Sequence, residues 1–195
     1  MTRAIRWRVI VLQVVALFVL VCGSIAGFYA SNFTTDQIRQ QLAPQQIVFP
    51  ANAKAGLPAD LKQYAGQQVV NGDQAHAYAE KYIGLHLQEI GQGHPYSYWS
   101  AKARSTTDSK LQAQYESITT TLFQGDTLQS MLNTAWTFSV FGQIAYYAGL
   151  ALALGALVVL GALIFEIYEM QRGVETVEAI AAPAVAAQKE LAGAR

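Results

Sequence analysis

Two long apolar stretches dominate the hydrophobic pattern of the chain, one near each end, with a mixed segment between them. The first, "VIVLQVVALFVLVCGSIAGFY" (residues 9–29), is interrupted by a single amide, Gln13. At about 1.5 Å of rise per residue it reaches roughly 30 Å, the thickness of bilayer hydrocarbon. The second, residues 144–165, carries no charge, with Trp136, Tyr146 and Tyr147 toward one end and Tyr168 toward the other, as interfacial aromatic residues are placed. Both stretches predict transmembrane helices. In the second, Gly149, Gly155, Gly161 and several alanines thin out the leucines and valines, as expected where another helix packs against it.

Between the two, residues 30–143 read as mostly helical. "SNFTTDQIRQQL" carries the first helix onward until Pro44 and the extended-looking "QQIVFP" end it. "LPADLKQYAG" predicts a short helix between Pro58 and Gly66. After the turn signal "NGD", Asp73 is the expected N-cap of "QAHAYAEKYIGLHLQEI", in which Ala79, Ile83, Leu87 and Ile90 recur at helical spacing. "GQGHP" stops that helix, and a last one starts near Asp108 and feeds the second apolar stretch, with an irregularity expected at Gly125. No alternating strand pattern and no internal repeat compete. The expected fold class is an all-α membrane protein, two transmembrane helices flanking a mostly helical extracytoplasmic domain, with residues 1–8 and the 166–195 tail in the cytoplasm. The tail is expected to be partly helical before Pro183 and frayed after it.

Composition agrees with that picture. The chain is 52% hydrophobic and 13% charged, well below the roughly 25% charged residues of a soluble domain. Its formal net charge is zero, so it has no broad basic field for nucleic acid. Arg3, Arg6 and Arg8 precede the first stretch and favour a cytoplasmic N-terminus in the plasma membrane; two spans then return the C-terminus to the cytoplasm. A cleavable signal peptide is the competing reading of the first stretch, but its apolar core exceeds the usual length of such peptides, about 7 to 15 residues. The single cysteine, Cys22, excludes an intramolecular disulfide. Val21 before it is not the small residue that lipid attachment wants, so Cys22 reads as a membrane-buried thiol. The sequon at Asn32 lies too close to the bilayer for glycosylation.

Candidate chemistry is sparse. His76 and Glu80 are one helical turn apart and could offer two metal ligands. His86 is ten residues from His76, roughly 15 Å along a straight helix, and only His94 or a distant carboxylate could complete a site. "HPYSYWS" gathers His94, Tyr96, Tyr98 and Trp99 into an aromatic cluster that suits packing or an interface. No nucleophile elbow, phosphate-binding loop or HExxH is present, so the expectation is a protein that is not an enzyme and holds no cofactor. The stronger signal is in the apolar stretches. Gly23 and Gly27 stand at GxxxG spacing; Ala145, Gly149 and Ala153 form one four-residue ladder, and Ala151 with Gly155 starts another. Small residues at this spacing let helix backbones approach, and the expected partners are lipid, further copies of the chain or other membrane proteins. A homo-oligomeric pore is one alternative, with Gln13 or Gln143 forming polar rings, and a metal-dependent sensor or enzyme built on His76, Glu80, His86 and His94 is another.

At "VNGDQAHAYAEKYIGLHLQEIGQGHPYSYWS" and "LFQGDTLQSMLNTAWTFSVFGQIAYYAG" the chain resembles a family of small actinobacterial membrane proteins of two helices and one extracytoplasmic domain. The matching features are the Val70-Asn71-Gly72 turn, the helix carrying His86 and Glu89, the Gly93 turn followed by Tyr96, and the run from Phe123 to Leu128. The resemblance implies the two-span topology. Some members carry a label for aromatic ring-opening dioxygenases; a non-haem iron centre wants two converging histidines and a carboxylate, which the spacing here does not offer.

Overall fold

In a computed structural model, the backbone is described for residues 3–193 and side chains for residues 6–172. Among the described residues the regular structure is helical throughout, without strands. Five α-helices are present: α1 (Arg3–Leu42), α2 (Gly72–Tyr78), α3 (Gly84–Ile90), α4 (Tyr96–Ser105) and α5 (Ser109–Gly193). Helices α1 and α5 are long and apolar enough to cross a membrane. The chain divides into two compact units, one drawn from residues 1–28 and 147–195 and the other from residues 29–146.

The first unit is an antiparallel helix pair. As numbers fall along α1 they rise along α5: a Cβ added at Gly23 would stand 3.0 Å from Leu152, and one at Gly155 would stand 3.8 Å from Leu20. The closest approach to backbone in this pair is at Gly149, where a Cβ would lie 3.1 Å from the Ser24 carbonyl oxygen and 3.2 Å from the Phe28 nitrogen. These are backbone atoms, so no rotamer change could relieve the contact.

The buried and half-buried positions of this pair include Ile10, Gln13, Leu17, Leu20, Ser24 and Gly27 on α1, with Val9, Ala16, Gly23 and Phe28 beside them, and Gly149, Leu152, Ala156, Val159 and Leu163 on α5, with Ala153 and Gly155 beside them. Steps of three and four alternate along both helices. That is the 3.5-residue repeat of a left-handed coiled-coil seam. Gly23, Gly27 and Gly149 line the seam and Ala153 and Gly155 border it, half-buried, whereas Ala151 is exposed. The opposite faces are apolar and uncovered, with Leu12, Phe18 and Val158 each about 70% exposed. Helix α5 continues through Pro183, where a break was expected; the alanine-rich flanks are strong helix formers.

The second unit packs short helices and turns around a single core. Phe49, Leu61, Val69, Ala75, Ala79 and Leu132 are essentially inaccessible, and Ile38 and Leu42 of α1 join them. Helix α1 ends where expected: Pro44 opens a 3-10 turn, and Gln46 in the left-handed region (φ 52°) reverses the chain. The extended segment that follows pairs once, Val48 with Gln68, through bonds from Phe49 N to Gln67 O (2.9 Å) and Val69 N to Ile47 O (2.8 Å). Residues 59–64 form a 3-10 helix where a short helix was expected.

The N-cap of α2 is Asn71, whose Oδ1 accepts from Gln74 N at 2.9 Å, and not Asp73. Either residue type can cap; the extended backbone at Asn71 (φ −139°, ψ 169°) decides it. A π-helical turn, Ala79–Ile83, joins α2 to α3; Ala79 and Ile83 are buried, whereas Ile90, the last residue of α3, lies exposed. Gly91 ends α3 as expected. Helix α4 was not anticipated. It begins after Pro95 and buries Trp99, whose indole N–H donates to Gly91 O at 2.8 Å. Asp108 caps α5, its Oδ1 accepting from the Lys110 and Leu111 amides at 2.8 and 3.0 Å. No irregularity interrupts α5 at Gly125; a Cβ there would overlap the Leu87 side chain, so that glycine is a notch for packing.

The glycine contacts make a differential prediction. Gly149→Leu should destabilise the helix pair by about 1–3 kcal/mol, the range for overpacking. Gly161, which has nothing within 4 Å of an added Cβ, should tolerate leucine within about 0.5 kcal/mol. Denaturant titrations of both variants in one detergent provide the comparison.

Candidate binding groove

A concavity lies within the second unit, between α1 from Phe33 to Leu42 with the turn after it, and α5 from Leu128 to Phe138. Helical spacing builds both walls. Phe33, Gln37 and Gln41 stand four apart on α1 beside Thr34, Ile38 and Leu42, and α5 answers with Leu128, Met131, Leu132, Ala135 and Phe138. Pro44, Gln45 and Ile47 close one end. The volume is about 800 Å³, within the roughly 300–1,000 Å³ of small-molecule sites. Ile38, Leu42 and Leu132 are buried beneath it, whereas Phe33, Met131 and Phe138 are more than half exposed at its edges.

No lining side chain is charged. The polar members are four glutamines (37, 40, 41 and 45) and two threonines. Both threonine hydroxyls are engaged by their own helices, Thr34 Oγ1 donating to Ala30 O at 2.8 Å and Thr134 Oγ1 to Ser130 O at 2.9 Å. The groove therefore offers apolar surface and a few amides, with no acid, base or nucleophile. It can bury an apolar group.

The titratable residues singled out in the sequence lie elsewhere. Asn133 Nδ2 donates to Glu80 Oε1 at 2.6 Å, which leaves Asn133 Oδ1 facing His76 Nδ1 at 3.0 Å. This orientation makes the amide an acceptor for an Nδ1–H tautomer. Gln129 Nε2 also reaches Glu80, at 3.3 Å, and the His76 ring stacks on Trp136 with centroids 4.2 Å apart. His76 and Glu80 are thus connected through an amide. His86 Nδ1 sits 2.8 Å from the Tyr82 carbonyl, and His94 stacks on Tyr98 at 3.9 Å. Among the described residues no three His, Cys, Asp or Glu side chains gather as a metal site would need.

The aromatic cluster of α4 has an internal cation: Lys102 Nζ lies 4.8–5.6 Å from the ring centroids of Tyr98, Trp99 and Tyr115. Two ionisable groups are perturbed by their surroundings. Lys81, at 2.8 Å, holds the Asp60 carboxyl below its ordinary value, and burial against the core raises the Tyr78 phenol above its own. Neither faces the groove.

Of the two glutamines considered for a pore, Gln13 is half-buried and its Oε1 is enclosed, with no hydrogen-bond partner among the described residues. Gln143 lies in the other unit, beside a small polar recess of about 160 Å³ with Ser31, Thr35, Asn71, Asp73 and Ser139. Ala145, the first residue of the expected ladder, is half-buried in that second unit. The groove itself escaped sequence reading because its walls come from segments far apart in the chain. The available signal was Ile38 and Leu42, one turn apart on a segment that otherwise reads as polar.

Comparison with known proteins yields no matching family model, curated protein or solved structure.

Removing the Asn133 amide should uncouple His76 from Glu80. Asn133→Ala is expected to cost about 1 kcal/mol, as for a typical intramolecular hydrogen bond. In a double-mutant cycle with Glu80→Ala the two changes should be non-additive by at least about 0.5 kcal/mol. Additive losses on chemical unfolding would show that the contact contributes nothing.

Proposed function

We propose that this is a non-enzymatic plasma-membrane protein with two spans, cytoplasmic termini and an extracytoplasmic helical cap, and that the cap is a binding module for an uncharged, apolar group. The observation that carries this reading is the groove: it has ligand-sized volume and no charged lining residue, while the His76, Glu80, His86 and His94 side chains are spent on amides, ring faces and a carbonyl outside it. Low burial of the long helices supports the membrane assignment, since only 11% and 17% of their most apolar windows is covered by the chain itself. The core helix of a soluble protein is covered far more completely. Arg3, Arg6 and Arg8 support the orientation, and the resemblance to two-span actinobacterial proteins agrees with it.

A second reading, assembly with further copies or other membrane proteins, draws on the residues that the helix pair leaves over. Ala151 is exposed and Gly161 opens to empty space, so a small-residue face remains on α5 for another helix. A change of native mass in Gly161→Leu, with the helix pair intact, would support it; an unchanged mass would remove it.

Orientation is tested with single cysteines in a Cys22→Ala background, using a membrane-impermeant maleimide on intact cells. Asp108→Cys, in the cap, should label from outside; Glu169→Cys, beyond the second span, should label only after permeabilisation. The reverse pattern would invert the topology, and labelling of both without permeabilisation would exclude it.

A further inference from the structure

The groove is selective through what it lacks. An ionic headgroup or a charged peptide flank would find no counter-ion along its lining, and desolvating a charge without one is costly. A hydrocarbon chain meets no such cost, and every apolar contact with Ile38, Leu42 and Leu132 favours its burial.

The surroundings of the groove point to where such a chain comes from. No charged side chain stands between Arg8 and Asp36, or between Asp126 and Glu166. At 1.5 Å per residue the second interval is about 58 Å of helix, nearly twice the roughly 30 Å of hydrocarbon that a span must cross. The surplus uncharged turns of α5 are those that supply Leu128, Met131 and Phe138 to the groove, and on α1 the lining begins with Phe33, only four residues past the apolar stretch. Along each helix itself, no charged residue stands between the apolar stretch and the first groove-lining residues.

We propose that the groove holds one alkyl chain of a bilayer lipid, drawn from the membrane in which α1 and α5 are embedded. This rests on the membrane reading given above and names the class of ligand for the same site. Bound lipid replaces water over Met131 and Phe138, both more than half exposed without it.

The test uses the full chain reconstituted into phosphatidylcholine vesicles that contain a minor fraction of phosphatidylcholine carrying a diazirine near the methyl end of one acyl chain. After irradiation, adducts are mapped by peptide mass spectrometry. Phe123 is the internal control: it lies on α5, is 58% exposed and is not part of the groove. The expected pattern is label at Leu128, Met131 and Gln41 as well as in both spans, with Phe123 unlabelled. Met131→Glu should reduce groove label on the order of tenfold, because it places a charge in an apolar site, and should leave span label unchanged. The wild-type pattern carries the test even if that variant fails to fold. Label confined to the spans overturns lipid capture. So does label reaching Phe123 as strongly as the groove, which would indicate a cap lying on the bilayer, or a chain-to-chain adduct at Met131, which would indicate a second copy in the groove. Absence of label from residues 9–29 and 144–165 overturns the membrane reading itself.

Discussion

The approach of two helix backbones at Gly149 is the constraint on which the helix pair depends. In hydrocarbon there is no hydrophobic drive to bring helices together, so contact has to come from packing. Packing is closest where neither helix carries a side chain at the crossing. Gly149 meets the backbone at Ser24, Gly27 and Phe28, and Gly23 receives Leu152. Around those contacts the larger seam residues, Ile10, Leu17, Leu20, Val159 and Leu163, interlock at alternating steps of three and four. Pairing α1 with α5 also holds together the two ends of the intervening chain, which lowers the entropy that its fold must overcome.

Within the second unit, polar groups are used for structure. Asn71 and Asp108 cap helices, Gln74 and Gln68 brace the turn that precedes α2, and Asn133 joins His76 to Glu80. Trp99 satisfies its N–H on the end of α3. Polar groups that find partners in this way help fix one arrangement of the chain. The apolar sides of α1 and α5 in this unit are treated differently. Ile38, Leu42 and Leu132 are covered by the core, and the adjoining turns remain open as the groove. The perturbed groups, Asp60 and Tyr78, owe their shifts to a surface ion pair and to core burial.

Punctuation was the most legible part of the fold. Pro44 ends α1, Gly91 ends α3 and Asp108 starts α5, because each acts through its own backbone or its nearest neighbours. Features set by contact between distant segments were not legible. The choice of Asn71 over Asp73 as the cap depends on how the preceding turn enters α2, and the π-helical turn at Ala79 has no local signature. Helix α4 begins after a proline within an aromatic run and is held by the bond from Trp99 to Gly91 O and by ring contacts with α5, Trp99 on Tyr115 and Tyr96 on Phe123. Glycines were visible as packing residues, yet a four-residue ladder and a 3.5-residue seam share many positions over so short a span. Only the exposure of Ala151 and the partners of Gly149 separate the two. The groove was the least visible of all, since no window of sequence contains both of its walls.

The central claim is that α1 and α5 of one chain pair with each other through this seam, and disulfide trapping in native membranes tests it most directly. With Cys22 replaced by alanine, cysteines at Leu20 and Gly155, whose positions face each other across the seam, should oxidise readily to an internal disulfide at the mass of a single chain. Cross-linking that appears only at twice that mass would contradict the account, because the seam would then join different chains.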